Sequence, residues 1–383
     1  MAGVRPLDSI TVVSLEQAVA APLCTRHLAD LGARVIKVER PGRGDFAREY
    51  DHRARGQSSH FVWINRSKES LALDLKNPTQ LAVLRALIAK ADVLVQNLAP
   101  GATARTGLDA ATLRKERPDL IVCDISGYGQ EGPYRDRKAY DLLIQGESGL
   151  ISVTGTPETP AKSGNSMADI AAGMYAYSAI LAALIQRGKT GEGSHIDVSM
   201  LESLVEWMGY PMYYAMDGAQ PPARTGAAHA TIQPYGPYAT GDGATVILGV
   251  QNEREWQRFC KQVLEQPSLI TDPRFESVAQ RSAHQAALKT LIVSAFSSLT
   301  AEQVEHRLDA AQIAHARMNT MGDVWAHPQL RARGRWTTVD SPAGLLPALK
   351  PPADQSGFEP RMDAIPRVGQ HNEAILRELG LRL

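Results

Sequence analysis

Asp169 is the residue around which a chemical reading of this chain can be built. It stands in SMADIAAGMYAYSAILAALIQRGKTGEGSHIDVSM, residues 166–200. Ser166 followed three positions later by Asp169 is a helix-start signature. The apolar run 170–185 reads as the helix, ended by Gly188, Gly191 and Gly193. An acid in a first helical turn meets unpaired N–H groups and the positive end of the dipole, which favour its ionised form. Its neighbours Ala168, Ala171, Ala172 and Gly173 are too small to cover it. Two readings stand side by side: an acid that merely caps its helix, or a carboxylate nucleophile ionised at the helix start.

The second chemical signal is local charge. Lys37, Arg40, Arg43, Arg48, Arg53, Arg55, Arg66 and Lys68 are opposed only by Glu39, Asp45, Glu49 and Asp51. This segment is positive in a chain whose 41 basic and 41 acidic side chains cancel. A cluster of fixed cations suits phosphates, although the same charges would also serve as a solvated surface. Asn97 and Arg105 follow the strand-like run 93–96, and the glycine-rich SGYGQEGP, residues 126–133, precedes Lys138. Gly42-Arg43-Gly44-Asp45-Phe46-Ala47 matches a dinucleotide fingerprint but follows the second strand and opens no clear helix, so it is not read as an NAD site. Gly188-Lys189-Thr190 lacks the upstream glycine of a phosphate loop and reads as a turn. Trp207, Met208, Met212 and Met216 form a stripe expected in the core.

These residues need a scaffold. Strands at 9–15, 34–39, 70–74, 93–96 and 120–126, mostly separated by helices at 23–31, 79–91 and 109–116, predict an α/β fold with a Rossmann-like parallel sheet. Ligands then bind at the carboxyl ends of the strands. A further strand at 195–199, with His195 outward, and a helix at 201–216 complete a large domain over 1–216. A Gly/Pro/Ala-rich linker at 217–234 leads to a smaller α+β domain at 235–325, and 326–383 is a linker and C-terminal segment ending in a helix. At 383 residues, with 44% hydrophobic and 21% charged side chains, the chain is globular and long enough for more than one core. Its neutrality gives no general attraction to nucleic acid or anionic membrane. Cys24, Cys123 and Cys260 lack CxxC spacing, which predicts reduced thiols, a cytoplasmic home and no metal site. No signal-peptide core opens the chain, and no apolar run approaches the roughly 18 residues of a membrane span.

Seven stretches, in order, carry a resemblance to the family III CoA-transferases (the formyl-CoA transferase, CaiB-BaiF-like family). They are LADLGARVIKVERPGRGD, NRSKESLALDLK, DVLVQNLAPGATARTGL, SGYGQEGPYRDRKAYD, ADIAAGMYAYSAILAALIQRGKTGEGSHIDVSML, HPQLRARG and VGQHNEAILRELGL. The resemblance implies that the C-terminal segment returns to complete the large, CoA-binding domain, and that two subunits thread through each other as interlocked rings. It implies that Asp169 is the nucleophile, forming an anhydride and then an aspartyl-CoA thioester, and that Gln17 stabilises oxyanions. Arg40, Lys76, Asn97, Arg105 and Lys138 match or adjoin positions that contact the nucleotide and phosphates of CoA, and Met200 matches one near the pantetheine. Ala18, Tyr140, Arg224 and His229 are candidates for the substrate pocket. The resemblance further implies CoA and acyl-CoA as substrates, no tightly bound cofactor, and an acyl-CoA, a small carboxylic acid and a second copy of the chain as partners.

Within this resemblance, α-methylacyl-CoA racemases are the nearest rival. They resemble this chain around a His-Asp pair, where Tyr140-Asp141 stands here. Tyrosine, with an ordinary pKa of about 10, is a poor proton shuttle at neutral pH, which favours the transferase. An acyl-CoA hydrolase and a non-catalytic CoA-binding protein are the other readings. Formyl-CoA transferase's tetraglycine lid has no counterpart; LGVQNEREW, residues 248–256, stands nearest, which turns the expectation from formate and oxalate to C4–C5 dicarboxylates such as succinate, glutarate, mesaconate or itaconate.

Overall fold

A computed structural model describes residues 3–382. Two compact units divide the chain: residues up to 150, 163–209 and from 329 onward form one, and 151–162 with 210–328 form the other. In the first unit β1 (Thr11–Leu15), α1 (Ala20–Asp30) and β2 (Arg34–Glu39) open the chain. They are followed by α2 (Ser59–Ile64), β3 (Lys68–Ala72), α3 (Pro78–Ile88) and β4 (Val93–Gln96). Next come α4 (Ala102–Arg105), α5 (Ala110–Glu116), β5 (Ile121–Ser126) and α6 (Asp141–Glu147), before α7 (Leu150–Val153), all but the first residue of which belongs to the second unit. The long α8 (Met167–Thr190), β6 (His195–Ser199) and α9 (Met200–Trp207) complete this stretch.

All six strands are parallel, in the order β3-β2-β1-β4-β5-β6. Alternating residues feed two cores. Val12, Val93, Val95, Ile121 and Cys123 face the side covered by α1 and α8, while Val13, Leu15, Leu94 and Val122 face the side of α3 and α5. A parallel sheet buried on both faces explains the near-continuous Val/Ile/Leu runs in its strands. The order reverses between β1 and β4, so a crevice opens at their carboxyl ends.

In the second unit, α10 (Gly209–Tyr214) precedes β7 (Tyr235–Ala239), β8 (Thr245–Gly249) and α11 (Glu253–Arg258). Then follow α12 (Val278–Ala283), α13 (Gln285–Phe296), α14 (Ala301–Ala310), β9 (Ala314–Arg317) and α15 (Met321–Trp325). Its three strands form an antiparallel sheet over a core that includes Trp256, Phe259, Phe275 and Phe296. Residues 151–162, expected in the large domain, cluster here because Arg224 donates to the Thr156 and Pro157 carbonyls and the Gly226 N–H to that of Gly155.

Past α16 (Pro328–Ala332), the hairpin of β10 (Trp336–Val339) and β11 (Leu346–Leu349) and the final α17 (Asn372–Leu379) belong to the first unit. Ile375 and Leu376 of α17 bury themselves in the α3 and α5 core. His371 Nδ1 accepts the Ser70 N–H at 3.0 Å and Asn372 Oδ1 the Ala72 N–H at 2.8 Å, so the returning segment covers the open edge of β3.

Several sequence expectations need correction. The third strand lies at Lys68–Ala72, not 70–74, and α8 runs through Gly188 to Thr190, where a turn was expected. Strand β9 and the β10–β11 hairpin went unforeseen because their four-residue runs carry little periodicity. Only Met208 of the apolar stripe is core; Trp207, Met212 and Met216 are 41%, 55% and 59% exposed. By length and composition alone α8 is long and apolar enough to cross a membrane, with mean hydropathy 1.6, yet Ala168, Ala172, Ala176 and Ile180 of its inner face lie in the α1-side core.

Small residues decide how closely α8 lies on α1. A Cβ at Gly173 would stand 2.6 Å from the Ala20 carbonyl oxygen, in the first turn of α1. Gly173→Ala is therefore expected to lower unfolding stability by about 1–3 kcal/mol, overriding alanine's better helix propensity. Gly188→Ala, where nothing lies within 4 Å, should instead raise it by about 0.5–1 kcal/mol. Urea titration of both variants measures the contrast.

Candidate active site

The crevice between β1 and β4 is where the candidate residues begin to meet. Past the end of β1 the chain turns sharply through Gln17 and Ala18, with Ala18 in the left-handed region at φ 60°. Non-glycine residues hold that conformation only where surrounding contacts over-determine it. Asn97, just past β4, supplies two of those contacts: its Oδ1 accepts the Gln17 N–H at 2.8 Å and its Nδ2 donates to the Gln17 carbonyl at 2.9 Å. Asp45 Oδ1 accepts the Ala18 N–H at 3.1 Å. The Phe46 N–H donates to Gln17 Oε1 at 3.3 Å. A backbone donor on that oxygen fixes the amide's orientation and leaves its NH2 group as the end free to donate to a ligand.

Asp169 lies in the first turn of α8, and the geometry there overturns the expected cap. Ser166 occupies the N-cap position without a side-chain cap bond. The acceptor is Asp141, at the start of α6: its Oδ1 takes the Ala168 N–H at 2.8 Å and the Asp169 N–H at 3.3 Å. Gln145, one turn along α6 and fully buried, donates to Asp141 Oδ2 at 2.7 Å. The Asp169 carboxyl itself accepts no hydrogen bond among the described residues, and neither of its oxygens is sealed from solvent. It is partly buried, and burial, reinforced by the charge of Asp141, raises its pKa to about 7. The pre-ionised carboxylate expected from the helix start is thus replaced by one poised near neutrality. Ile170, beside it, packs on the same small cluster as Ala18, which brings the α8 start to the β1 turn. Tyr50 stands near enough for the Asp169 charge to help raise its own pKa to about 12, after burial and Asp45.

The expected cation cluster divides in two. Lys37 and Lys68 are buried: Lys37 Nζ lies 2.7 Å from Asp45 Oδ2 and 3.3 Å from Glu16 Oε1, and Lys68 Nζ 2.7 Å from the same Glu16 oxygen. Two lysines and the Thr25 hydroxyl outweigh burial at Glu16 and hold its pKa down at about 2. Arg48 is taken by Glu39 and Arg66 by Asp30. These charges brace the fold and offer nothing to a phosphate; in the sequence they look like any surface lysine or arginine.

Arg40, Lys76, Arg105 and Lys138 behave differently. Each is exposed, and among the described residues none makes an ion pair or a side-chain hydrogen bond. Arg40 directly follows β2, and Lys76, Arg105 and Lys138 lie in the connections that leave β3, β4 and β5 from the carboxyl edge of the sheet, the edge on which Gln17 and Asn97 follow β1 and β4. Met200 is 8% exposed and packs in the α1-side core. Tyr140, at the N-cap of α6, is 67% exposed beside Tyr50. In the second unit Arg224 is not a free cation, because three carbonyls, of Ser152, Thr156 and Pro157, take its guanidinium. His229 Nδ1 accepts the Thr231 and Ile232 N–H groups while its ring stacks on Tyr235 at 5.2 Å. Asp45 entered the sequence reading only as a charge opposing the cations and Asp141 only as the neighbour of Tyr140; neither they nor Phe46 and Gln145 were expected to shape the site, and the i, i+4 spacing of Asp141 and Gln145 was the one local signal of their pairing.

Comparison with known proteins shows the family. The family model described as CoA-transferase family III matches residues 7–372. The chain is 33% identical to the human succinyl-CoA:glutarate CoA-transferase, over 99% of this chain and 87% of that one. It is 35% identical to the succinate–glutarate CoA-transferase of Agrobacterium fabrum, over 98% of this chain and 96% of the other. A CAIB/BAIF family crystal structure from Brucella suis superposes with TM-score 0.86 at 34% identity, covering 98% of this chain and 99% of that one. The chain belongs to the family III CoA-transferases and is an acyl-CoA:carboxylate CoA-transferase.

Raising the Asp169 pKa to about 7 carries a stability consequence. The folded state holds a proton that the unfolded chain releases near pH 4, so stability falls as pH rises from about 4 to 7 and stays lowered above. Asp169→Asn should therefore stabilise the protein above pH 7, by at most about 4 kcal/mol, with the gain fading towards pH 4. Thermal melts of both forms at pH 5 and pH 8 measure it.

Proposed function

We propose that this enzyme moves CoA between a C4–C5 dicarboxylic acid and its acyl-CoA partner, with Asp169 as the covalent nucleophile. The observation that carries the reading is the Asp169 carboxyl: unbonded, open and poised near neutrality beside the turn that presents Gln17. Its carboxylate attacks the thioester carbonyl, expelling CoA thiolate and leaving a mixed anhydride. The thiolate attacks the aspartyl carbonyl, releasing the donor acid and forming an aspartyl-CoA thioester. The acceptor carboxylate then repeats both steps in reverse order. The free NH2 of Gln17 donates to the oxyanion that each attack creates. Exposed Arg40, Lys76, Arg105 and Lys138 meet the phosphates, holding the thiol close enough to return. Asp169 with a pKa near 7 is a stronger nucleophile than an ordinary aspartate, while a fair fraction stays ionised at neutral pH.

Dicarboxylate specificity rests on the relatives, whose names specify succinate and glutarate. We read Met200 as packing beneath the pantetheine path, and Ala18 and Tyr140 as walls of the acyl pocket. Arg224 and His229 are held by partners within the second unit and are given no role in that pocket. The solvent-facing Trp207, Tyr210, Met212, Tyr213, Tyr214 and Met216 suit burial against a second copy in an interlocked homodimer, and three buried free cysteines suit the cytoplasm. A racemase reading has one observation in its favour, because an acid titrating near 7 also suits proton transfer. Against it, Asp141 is occupied as the cap of α8.

Asp169→Ala is expected to abolish CoA exchange from succinyl-CoA, at least 1,000-fold, with the dimer retained in size-exclusion chromatography; retained turnover assigns the nucleophile elsewhere. For the wild type, kcat/KM should rise with pH through about 7 and level off above it, since only the ionised carboxyl attacks. Acceptors are ranked by mass spectrometry of the CoA esters formed from succinate, glutarate, mesaconate, itaconate, formate and oxalate. Deuterium entry at the α-carbon of a 2-methylacyl-CoA without any acceptor would instead establish racemase chemistry.

A further inference from the structure

The β1 turn holds Gln17 in place only if something holds Ala18, and the structure shows what does. Asp45 is fully buried and divides its two oxygens between opposite tasks. Oδ2 lies 2.7 Å from Lys37 Nζ, rooted in β2. Oδ1 accepts two backbone N–H groups, from Ala18 at 3.1 Å and from Ala47 at 2.9 Å. The first belongs to the turn that carries Gln17. The second belongs to the short 3-10 turn Phe46–Glu49, whose Phe46 N–H orients the Gln17 amide. One carboxylate therefore ties together the two loops that fix the backbone and the side chain of Gln17.

The other charged groups facing this point leave Asp45 no substitute. Glu16 is shared between Lys37 and Lys68 and accepts the Thr25 hydroxyl. Glu39 accepts the Asp45 N–H and pairs with Arg48. Neither carboxylate reaches the Ala18 N–H. Alanine at φ 60° is a conformation that relaxes towards ordinary backbone once its hydrogen bond is withdrawn.

We propose that Asp45, anchored by Lys37, is a positioning residue for the transfer reaction: it holds Ala18 in the left-handed conformation and so aims the Gln17 amide at the carbonyl bound to Asp169. This rests on the roles assigned above to Asp169 and Gln17. Asp45 touches neither CoA nor substrate. Its loss acts on the oxyanion-stabilising step, lowering kcat far more than it raises KM.

The experiment is a double-mutant cycle. Asp45→Asn puts an amide where one carboxylate serves both an ammonium and two N–H groups, and is expected to lower kcat per folded enzyme at least tenfold with KM for acyl-CoA changed less than threefold. Ala18→Gly in that background should recover at least threefold of the lost kcat, because glycine adopts a positive φ without the clamp. A purely structural role for Asp45 would lower the melting temperature without this specific rescue. If Asp45→Asn fails to fold, Asp45→Glu keeps the charge for Lys37 but displaces the carboxylate by one methylene, and the same fall and rescue are expected. Wild-type kcat in the folded variant, or a double mutant no faster than the single one, overturns the proposal. Asp169→Asn is assayed in parallel: turnover there defeats the nucleophile assignment itself, whereas an inactive Asp169→Asn with a fully active Asp45 variant defeats the positioning role alone.

Discussion

Two hydrogen bonds to Asp141, from the Ala168 and Asp169 N–H groups, set the character of everything around them. A helix must satisfy its first N–H groups. Were Asp169 to do so with its own carboxylate, the group would be ionised, occupied and chemically quiet. Asp141 performs that task from another helix, steadied by Gln145, and leaves the Asp169 carboxyl unbonded among the described residues. The same negative charge, standing close by, joins burial in raising the Asp169 pKa. One interaction thus satisfies the helix and tunes the neighbouring carboxyl group.

That arrangement requires α8 to lie close on α1, and alanine and glycine on its inner face allow it. The result is a juxtaposition of two loops and a helix end at the crevice where the sheet reverses its order. Beneath the β1 turn lie Glu16, Lys37, Asp45 and Lys68, two acids and two bases with no exposed edge. Such buried ion groups seldom add net stability over a packed apolar core, since desolvation offsets most of the attraction. Their value here is directional: every oxygen and ammonium has an assigned partner, so a turn in a strained conformation has one place to be.

Much of the scaffold was legible from residue order. The runs at 34–39, 93–96 and 195–199 coincide with β2, β4 and β6 to the residue, and the expected final helix is α17, because apolar β-branched runs and an amphipathic helical pattern are local properties. The cations were legible only as a group. Arg40, Arg48, Lys37 and Lys76 look alike in one dimension, yet two stand free at the sheet edge and two are locked to carboxylates. The exposed Trp207, Met212 and Met216 were misread for a related reason, since periodicity reports that a face is apolar and says nothing about what covers it.

By itself the sequence determined the parallel α/β class and the loops that meet at one edge of the sheet, and it offered Asp169 as the candidate carboxyl group. All of these follow from strand and helix patterning and from the rule that parallel strands end on the same side. Only the tertiary structure decided the protonation behaviour of Asp169, the partner that caps its helix and the division of the basic residues. Those depend on side chains far apart in the chain, Asp141 with Asp169 and Lys37 with Glu16 and Asp45. Their distances and burial come into being when the helices and loops close on one another.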